Sequence, residues 1–405
     1  MLRLISAISL FALICVTGTG YAADTTANAA PVSTAPVEVP KMIAGKPYSI
    51  TPGSKPGTYL VKWGDDSFTW EAKPWYEDTL KKQGPAYYAQ WTSGKPFPFD
   101  VPIDKRDKLD PDDLMDRCIA WSYYGPYYQG EADMWNNLVV EPNGSLRETE
   151  HFMEIAMAFV GGTNQEYLPA SQRGVVSHIY EWIAIDPEEV RGQSGITTDF
   201  FGRDQHPQDT WYTPTVRKVR RLAGAVSKQF FPGTIFRYED VSHVRALPDL
   251  NYKIVGYELF KADPSVHGNG PNDYPDVKRV DMAGDVAVIL EITPKPDVSW
   301  WYAKRRIKCG LQSLTAMESE EYDEKGAVQR HVVHGLITGS EGKMPDGSPA
   351  PDWYQVWGSL FVDDKKSGFR GDAWLTQLQF DPGLPTSIFT NDTLVREPRK
   401  LGFWK

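Results

Sequence analysis

Arg279-Val-Asp-Met-Ala-Gly-Asp-Val-Ala-Val-Ile-Leu-Glu-Ile-Thr293 is the stretch whose reading decides the fold. Val280, Met282, Val286, Val288, Leu290 and Ile292 fall on every second position, which is strand spacing. A strand this long predicts strong curvature, with a bulge near Gly284. The same period-two pattern extends outward in both directions. Val175 to Ile185, Trp211 to Leu222, Tyr252 to Phe260, Ala327 to Ile337, Trp353 to Phe361 and Ala373 to Phe380 are further alternating runs, separated by Pro, Gly, Asn and Asp. Consecutive strands with few intervening helices predict one large curved antiparallel sheet, an incomplete barrel in an α+β, mainly β chain.

Upstream, Thr58 to Trp63 also reads as a strand. Between Trp70 and Asp104 lies an aromatic, proline-rich stretch read as an ordered loop. Two helices are expected here. Asp110-Pro111-Asp-Asp offers a cap, a proline at the first helical position and acids in the first turn, with Leu114, Met115, Cys118 and Ile119 on one face. Ser145-Leu-Arg-Glu148 has the form of a capping box, followed by Phe152, Ile155, Ala156 and Phe159 and stopped by Gly161-Gly162. Their apolar faces would cover the concave face of the sheet. No repeat is visible, so a single continuous domain is expected.

The 405 residues include 34 glycines and 31 prolines, which excludes a long-helix bundle. Aromatics make up 13% of the chain and a net charge of −10 argues against polyphosphate as a partner, so no nucleic-acid binding is expected. Arg3, the apolar run Leu4 to Val16 and the small residues around Gly20-Tyr-Ala22 read as a secretory signal over 1–22. Residues 23–46, rich in Ala, Thr, Pro and Val, read as a flexible leader. No segment is long enough to span a bilayer as a helix once the signal is removed, so a periplasmic location is expected. Cys118 and Cys309 then remain, either as one disulfide or as two buried thiols.

Catalytic templates fit poorly. Gly192-Gln-Ser194-Gly195 lacks the spacing of a nucleophile elbow and reads as a turn, and Gly268-Asn-Gly270-Pro does not fit a dinucleotide loop. His331 and His334 lie three apart on a strand and should point to opposite faces, so no metal and no cofactor is expected. Paired acids, Glu320-Glu321 and Asp363-Asp364 among them, read as solvated turn residues. Two features stand above this background. Arg217, Lys218, Arg220 and Arg221 form a cation cluster within the run from Trp211 to Leu222; read as one strand, it puts Arg217 and Arg221 on one face and Lys218 and Arg220 on the other. The aromatic load includes Trp211, Tyr212, Trp300 and Trp301. Solvated cations and core rings are the plain alternatives.

Four runs taken together resemble outer-membrane lipoprotein-sorting proteins of the LolA/LolB carrier type, and an uncharacterised exported proteobacterial group similar to them. They are Pro187 to Gly192, then Thr197-Thr-Asp-Phe-Phe201, then Asp209-Thr-Trp-Tyr-Thr-Pro214-Thr-Val-Arg217-Lys-Val-Arg220-Arg221, then Phe231-Pro-Gly233-Thr-Ile-Phe-Arg-Tyr238-Glu239-Asp240. Tyr302 to Arg306, Glu321 to Gly326 and Thr386 to Leu394 add to the likeness. The resemblance implies a half-barrel domain over 47–405 with an aromatic-rich cover at about 47–170. It also implies a non-enzymatic carrier that holds a lipid or other hydrophobic molecule, with an envelope or outer-membrane protein as a candidate partner. Trp211, Tyr212, Arg217, Arg220, Arg221, Trp300 and Trp301 are the candidate ligand-binding residues. A secreted carbohydrate-binding protein or hydrolase, acting on a polar substrate at an aromatic cleft, is the competing reading.

Overall fold

The computed structural model describes residues 48–52, 54, 58–63, 66–71, 103–106, 108–115, 118, 130–157, 176–200, 206–222, 229–241, 247–259, 286–311, 316–338, 342–350, 355–380, 382 and 389–395. All of them fall within one compact unit, Lys41–Lys405. The signal segment, the leader, most of the aromatic stretch before Asp104, Gly268 to Gly270 and the bulge expected near Gly284 lie outside the described residues.

A small antiparallel sheet comprises β1 (Tyr48–Pro52), β2 (Thr58–Trp63) and β3 (Asp66–Glu71). The main sheet has thirteen strands. In chain order they are β4 (Gly130–Val140), β5 (Leu146–Met157), β6 (Val176–Asp186), β7 (Ser194–Phe200), β8 (Gln208–Thr213), β9 (Lys218–Leu222), β10 (Leu250–Leu259), β11 (Val286–Pro294), β12 (Lys304–Gly310), β13 (Ala316–Tyr322), β14 (Val328–Thr338), β15 (Gln355–Asp364) and β16 (Phe369–Phe380). Their spatial order is β10-β11-β12-β13-β14-β15-β16-β4-β5-β6-β7-β8-β9, antiparallel throughout. The mainly antiparallel, unclosed sheet expected from the alternation is therefore present. The two edges, β9 and β10, are consecutive in the chain and joined by the connection 223–249.

Two local readings are corrected. The helix expected from Ser145 is β5. Asn143-Gly144 forms a tight hairpin turn, with Gly144 at φ 87°, Glu141 N–H donating to the Ser145 carbonyl at 2.8 Å and Ser145 N–H donating to Asn143 Oδ1 at 2.8 Å. Pairing on both sides, with β4 and β6, then outweighs a capping box whose helix would have satisfied only itself. The run from Trp211 to Leu222 is not one strand. Pro214, which has no N–H to give a ladder, starts a 3₁₀ turn over Pro214–Val216 that ends at Arg217 with φ 50°, so the run folds into the β8–β9 hairpin. The helix expected after Asp110 is present at 111–115, where Asp110 Oδ1 accepts the Asp112 N–H at 3.1 Å.

Curvature follows from contacts made by neighbouring residues of the connection. Tyr238 packs against Trp211 of β8 at 5.8 Å between ring centroids, while the next residue, Glu239, pairs with Arg305 of β12 at 3.2 Å. These strands are the twelfth and the third in spatial order. In a flat sheet nine strand spacings would separate them by roughly 40 Å. The sheet must wrap around the segment 229–241, which contains the short helix Tyr238–Val241. Its inner face also buries Val288, Leu290, Ile292, Ile307, Val332, Leu360 and Val362, each worth on the order of 1.5–3 kcal/mol relative to exposure.

Candidate functional site

The inner face around the segment 229–241 gathers the largest buried side chains and most of the buried charge. Register decides which residues reach it. Along β6 to β8, Trp182 lies opposite Gly195 and Gly195 opposite Trp211, so both indoles point inward. Gly195 is required beneath Trp182: a Cβ there would stand 2.5 Å from the indole Nε1. Trp182 meets Trp211 edge-on at 5.1 Å and Phe231 edge-on at 5.8 Å, and Phe231 stacks on Tyr238 at 4.3 Å. Gly371 of β16 makes room for the same segment, since a Cβ would lie 2.8 Å from Ile235 Cγ1. His151 sits at the edge of this cluster, 6.3 Å from Trp182, with its Nδ1 against Asn137 Nδ2 at 3.0 Å. Burial lowers its pKa to about 4, offset only in part by the Pro232 carbonyl. The Nε1 groups of Trp182 and Trp211 are buried without a hydrogen-bond partner among the described residues.

A buried ionic lattice fastens the far end of the segment. Arg330 grips both Asp240 oxygens at 2.6 Å and the Ile235 carbonyl at 2.8 Å; it is 1% exposed and Asp240 not at all. Asp240 also accepts the Arg237 backbone N–H at 2.6 Å. Burial alone would raise the Asp240 carboxyl, but Arg330, with Arg305 and Arg237 behind it, outweighs burial and holds it at about 2. Arg237 reaches Glu321 at 2.6 Å, and Arg305 reaches Glu239 at 3.2 Å and Ser319 at 2.9 Å. Tyr302 donates to Glu239 at 2.6 Å; burial, then the Glu239 charge, raises its phenol well above the ordinary range. His334 donates from Nε2 to the Asp240 carbonyl at 2.7 Å, and burial lowers its pKa to about 4.

The opposite face of the same strands carries a separate ladder. Lys308 bridges Glu258 at 2.8 Å and Glu318 at 2.9 Å, and His331 meets Glu318 at 2.7 Å. His331 and His334 thus point to opposite faces, as their spacing requires. No group of acids, histidines and cysteines able to hold a metal occurs among the described residues.

The residues singled out in the sequence are only partly brought together. Trp211 faces inward, whereas Tyr212 points outward and packs against Ile179, Ile196, Phe200 and Leu394. Arg220 lies across from Trp211, Arg221 sits on the other face, and Arg217 caps the turn; all three are exposed. Trp300 and Trp301 stack on each other at 4.4 Å, and Trp301 lies beside Arg237 and Glu321 at the ionic end. Cys118 and Cys309 are both buried thiols, with no bridge between them. The sequence reading missed Glu239, Asp240, Arg305, Glu321 and Arg330. The expectation of solvated acids fails at Glu321, which is fully buried on β13 opposite Arg330. The signal was present in the alternation: Arg305, Glu321 and Arg330 all occupy inward positions of strands.

Fold and site together define an unclosed antiparallel half-barrel that wraps around its own edge-to-edge connection. A family model described as that of an uncharacterized protein matches residues 182–396, just over half of the chain. The chain belongs to this family of uncharacterized proteins, bearing out the resemblance noted from the sequence. No curated protein matches it. Among solved structures, it is similar to a DUF1329 family protein from Desulfovibrio piger at 16% identity, covering 71% of this chain and 100% of that one with a TM-score of 0.49. A domain described as an outer membrane lipoprotein-sorting protein from Vibrio parahaemolyticus matches at 15% identity, 66% and 92% coverage and a TM-score of 0.47. A LolA superfamily protein from Nitrosomonas europaea matches at 12% identity, 70% and 100% coverage and a TM-score of 0.42.

Proposed function

We propose that the protein is an exported, periplasmic, non-enzymatic carrier that holds a lipid or other hydrophobic molecule against the inner face of the half-barrel, at the β6–β8 end. The observation that carries this reading is the pair of buried indole N–H groups, Trp182 and Trp211, set among apolar rings without an acceptor from the described residues. A buried donor left unmet costs about 1–3 kcal/mol, and the ester or carboxyl oxygen of an amphiphile would meet it. Burial of an acyl chain would add about 0.8 kcal/mol per methylene, so affinity needs no covalent step. The sheet is unclosed beside this cluster, at β9, which leaves a route in that a closed barrel would lack. Arg220, on the same face as Trp211, stands where a polar head would emerge.

Three ionisable groups of the inner face, Asp240, His151 and His334, are in keeping with a binding role. Asp240 is committed to the ionic lattice, and His151 and His334 are held neutral near pH 7. A group locked in one protonation state is poorly placed for proton transfer. The export part of the reading rests on Arg3, the apolar run Leu4 to Val16 and the Gly20-Tyr-Ala22 site.

Native mass spectrometry and organic extraction of protein purified from the periplasm test the proposal. The expected result is a co-purifying amphiphile that is lost in Trp182→Phe and Trp211→Phe variants, together with binding of a fluorescent fatty-acid probe. Absence of any extracted lipid and of probe binding would refute it and favour an interior filled by the protein's own segment 229–241.

A further inference from the structure

Apart from Arg220, set beside Trp211 where a polar head would emerge, the cation cluster on β9 is not used by the proposed interior site, and its placement has a chemistry of its own. β9 is the last strand of the sheet and pairs only with β8, so its other edge presents backbone donors and acceptors that no described strand meets. Arg217, Lys218, Arg220 and Arg221 are all exposed there, and none has an ion pair or hydrogen bond to a described side chain. Four cations at one edge, without an ion partner among the described residues, are conspicuous in a chain of net charge −10, where acids are in surplus. Val216 and Val219 beside them are 49% and 38% exposed. The other edge, β10, carries a single cation, Lys253, along its ten residues.

From this arrangement we infer that β9 is a docking edge for an extended acidic segment of a partner protein, which adds to the sheet as a further strand. Lys218 and Arg220 project to one face of the sheet and Arg221 to the other. A strand laid alongside also sends successive side chains to alternate faces, so acids at successive positions would each find a cation across the strand boundary. Backbone pairing supplies affinity and the cations supply sign and register. A second copy of this chain is a poor occupant, because a two-fold pairing of β9 with itself would set the cation rows against each other. An anionic membrane would meet the cations but leave the backbone row unpaired.

The test uses the full mature chain and a fluorescent peptide of about ten residues in Glu-Glu-Thr repeats, which sends acids to both faces of a strand, read by anisotropy at low salt. Controls are the same peptide N-methylated at alternate positions, which keeps the charge but cannot pair along an edge, a Lys-Thr peptide, and vesicles containing phosphatidylglycerol. The proposal expects the acidic peptide to bind and to slow amide exchange in β9, with N-methylation weakening it by about tenfold or more. The Arg217→Glu, Lys218→Glu, Arg220→Glu, Arg221→Glu variant should lose the acidic peptide and gain the Lys-Thr peptide; the milder Arg220→Gln, Arg221→Gln variant should weaken binding part way. Equal binding of the N-methylated peptide, binding of vesicles without the peptide, or no binding of the acidic peptide would each overturn it. None of these outcomes depends on whether an amphiphile occupies the interior.

Discussion

Replacing Asp240 by Asn should be among the most damaging single changes in the molecule, although it alters one atom and little volume. Arg330 is 1% exposed and Asp240 is fully buried, so the substitution leaves a guanidinium inside the protein without its counter-charge. Removing one partner of such a pair costs about 3–5 kcal/mol. The same pairing holds the Asp240 carboxyl at about 2 against an ordinary 3.8, despite burial that would raise it. Arg330→Met should cost a similar amount. The double variant Asp240→Asn, Arg330→Met should cost clearly less than the sum, with a coupling of about 2–3 kcal/mol. Urea unfolding of the four proteins measures the cycle, and proteolysis of the connection 223–249 reports whether its fastening has loosened. Single variants within about 0.5 kcal/mol of the parent, or strictly additive effects, would refute the view that this pair anchors the segment.

Stability should also fall on mild acidification. His151 and His334 titrate near 4 when folded and near 6.5 when unfolded, so the unfolded chain binds more protons in between and stability drops as pH falls through that window. Asp372, raised by burial to about 6, and Glu258, also raised by burial, act in the opposite sense, so the loss between pH 6 and 4 stays below the roughly 2.7 kcal/mol per pH unit that two histidines alone would give. His151→Gln or His334→Gln should flatten the pH profile of thermal unfolding; an unchanged slope in both would contradict it. Gly195→Ala should destabilise by about 1–3 kcal/mol through overlap with Trp182, with partial rescue by Trp182→Leu, and urea midpoints of the single and double variants check this. Cys118 and Cys309 should resist alkylation in the native protein and react on denaturation, with no reductant-dependent mobility shift on gels; a shift would show a bridge.

Much of the fold was legible because period two survives wherever one face is buried and the other is not. The runs at Val175, Tyr252, Ala327 and Trp353 became β6, β10, β14 and β15 with ends displaced by a few residues. β5 was misread because a capping box and helical apolar spacing are local signals, and two-sided strand pairing overrides them from outside the segment. The β8–β9 hairpin was hidden because charge at Arg217 to Arg221 continued the alternation through a turn that Pro214 in fact begins. For the site, Trp211 could be chosen from composition, but Glu239, Asp240 and Arg330 could not: Asp240 and Arg330 lie 90 residues apart, and only the curl of the sheet brings them together.

The junction of β4 with β16 imposes an order on assembly. These strands sit side by side in the middle of the sheet, Val140 opposite Arg370, yet they bracket almost the whole β region in sequence. Every other neighbouring pair in the main sheet is joined by successive chain and can form early; this seam needs the last strand. An N-terminal portion of the chain can therefore build only one wing, β4 to β9, with the edge of β4 open and prone to pair wrongly. The protein gains its central hydrogen-bond ladder in a late, long-range closure, which makes a chain truncated before Phe369 a candidate for aggregation rather than for a smaller stable domain.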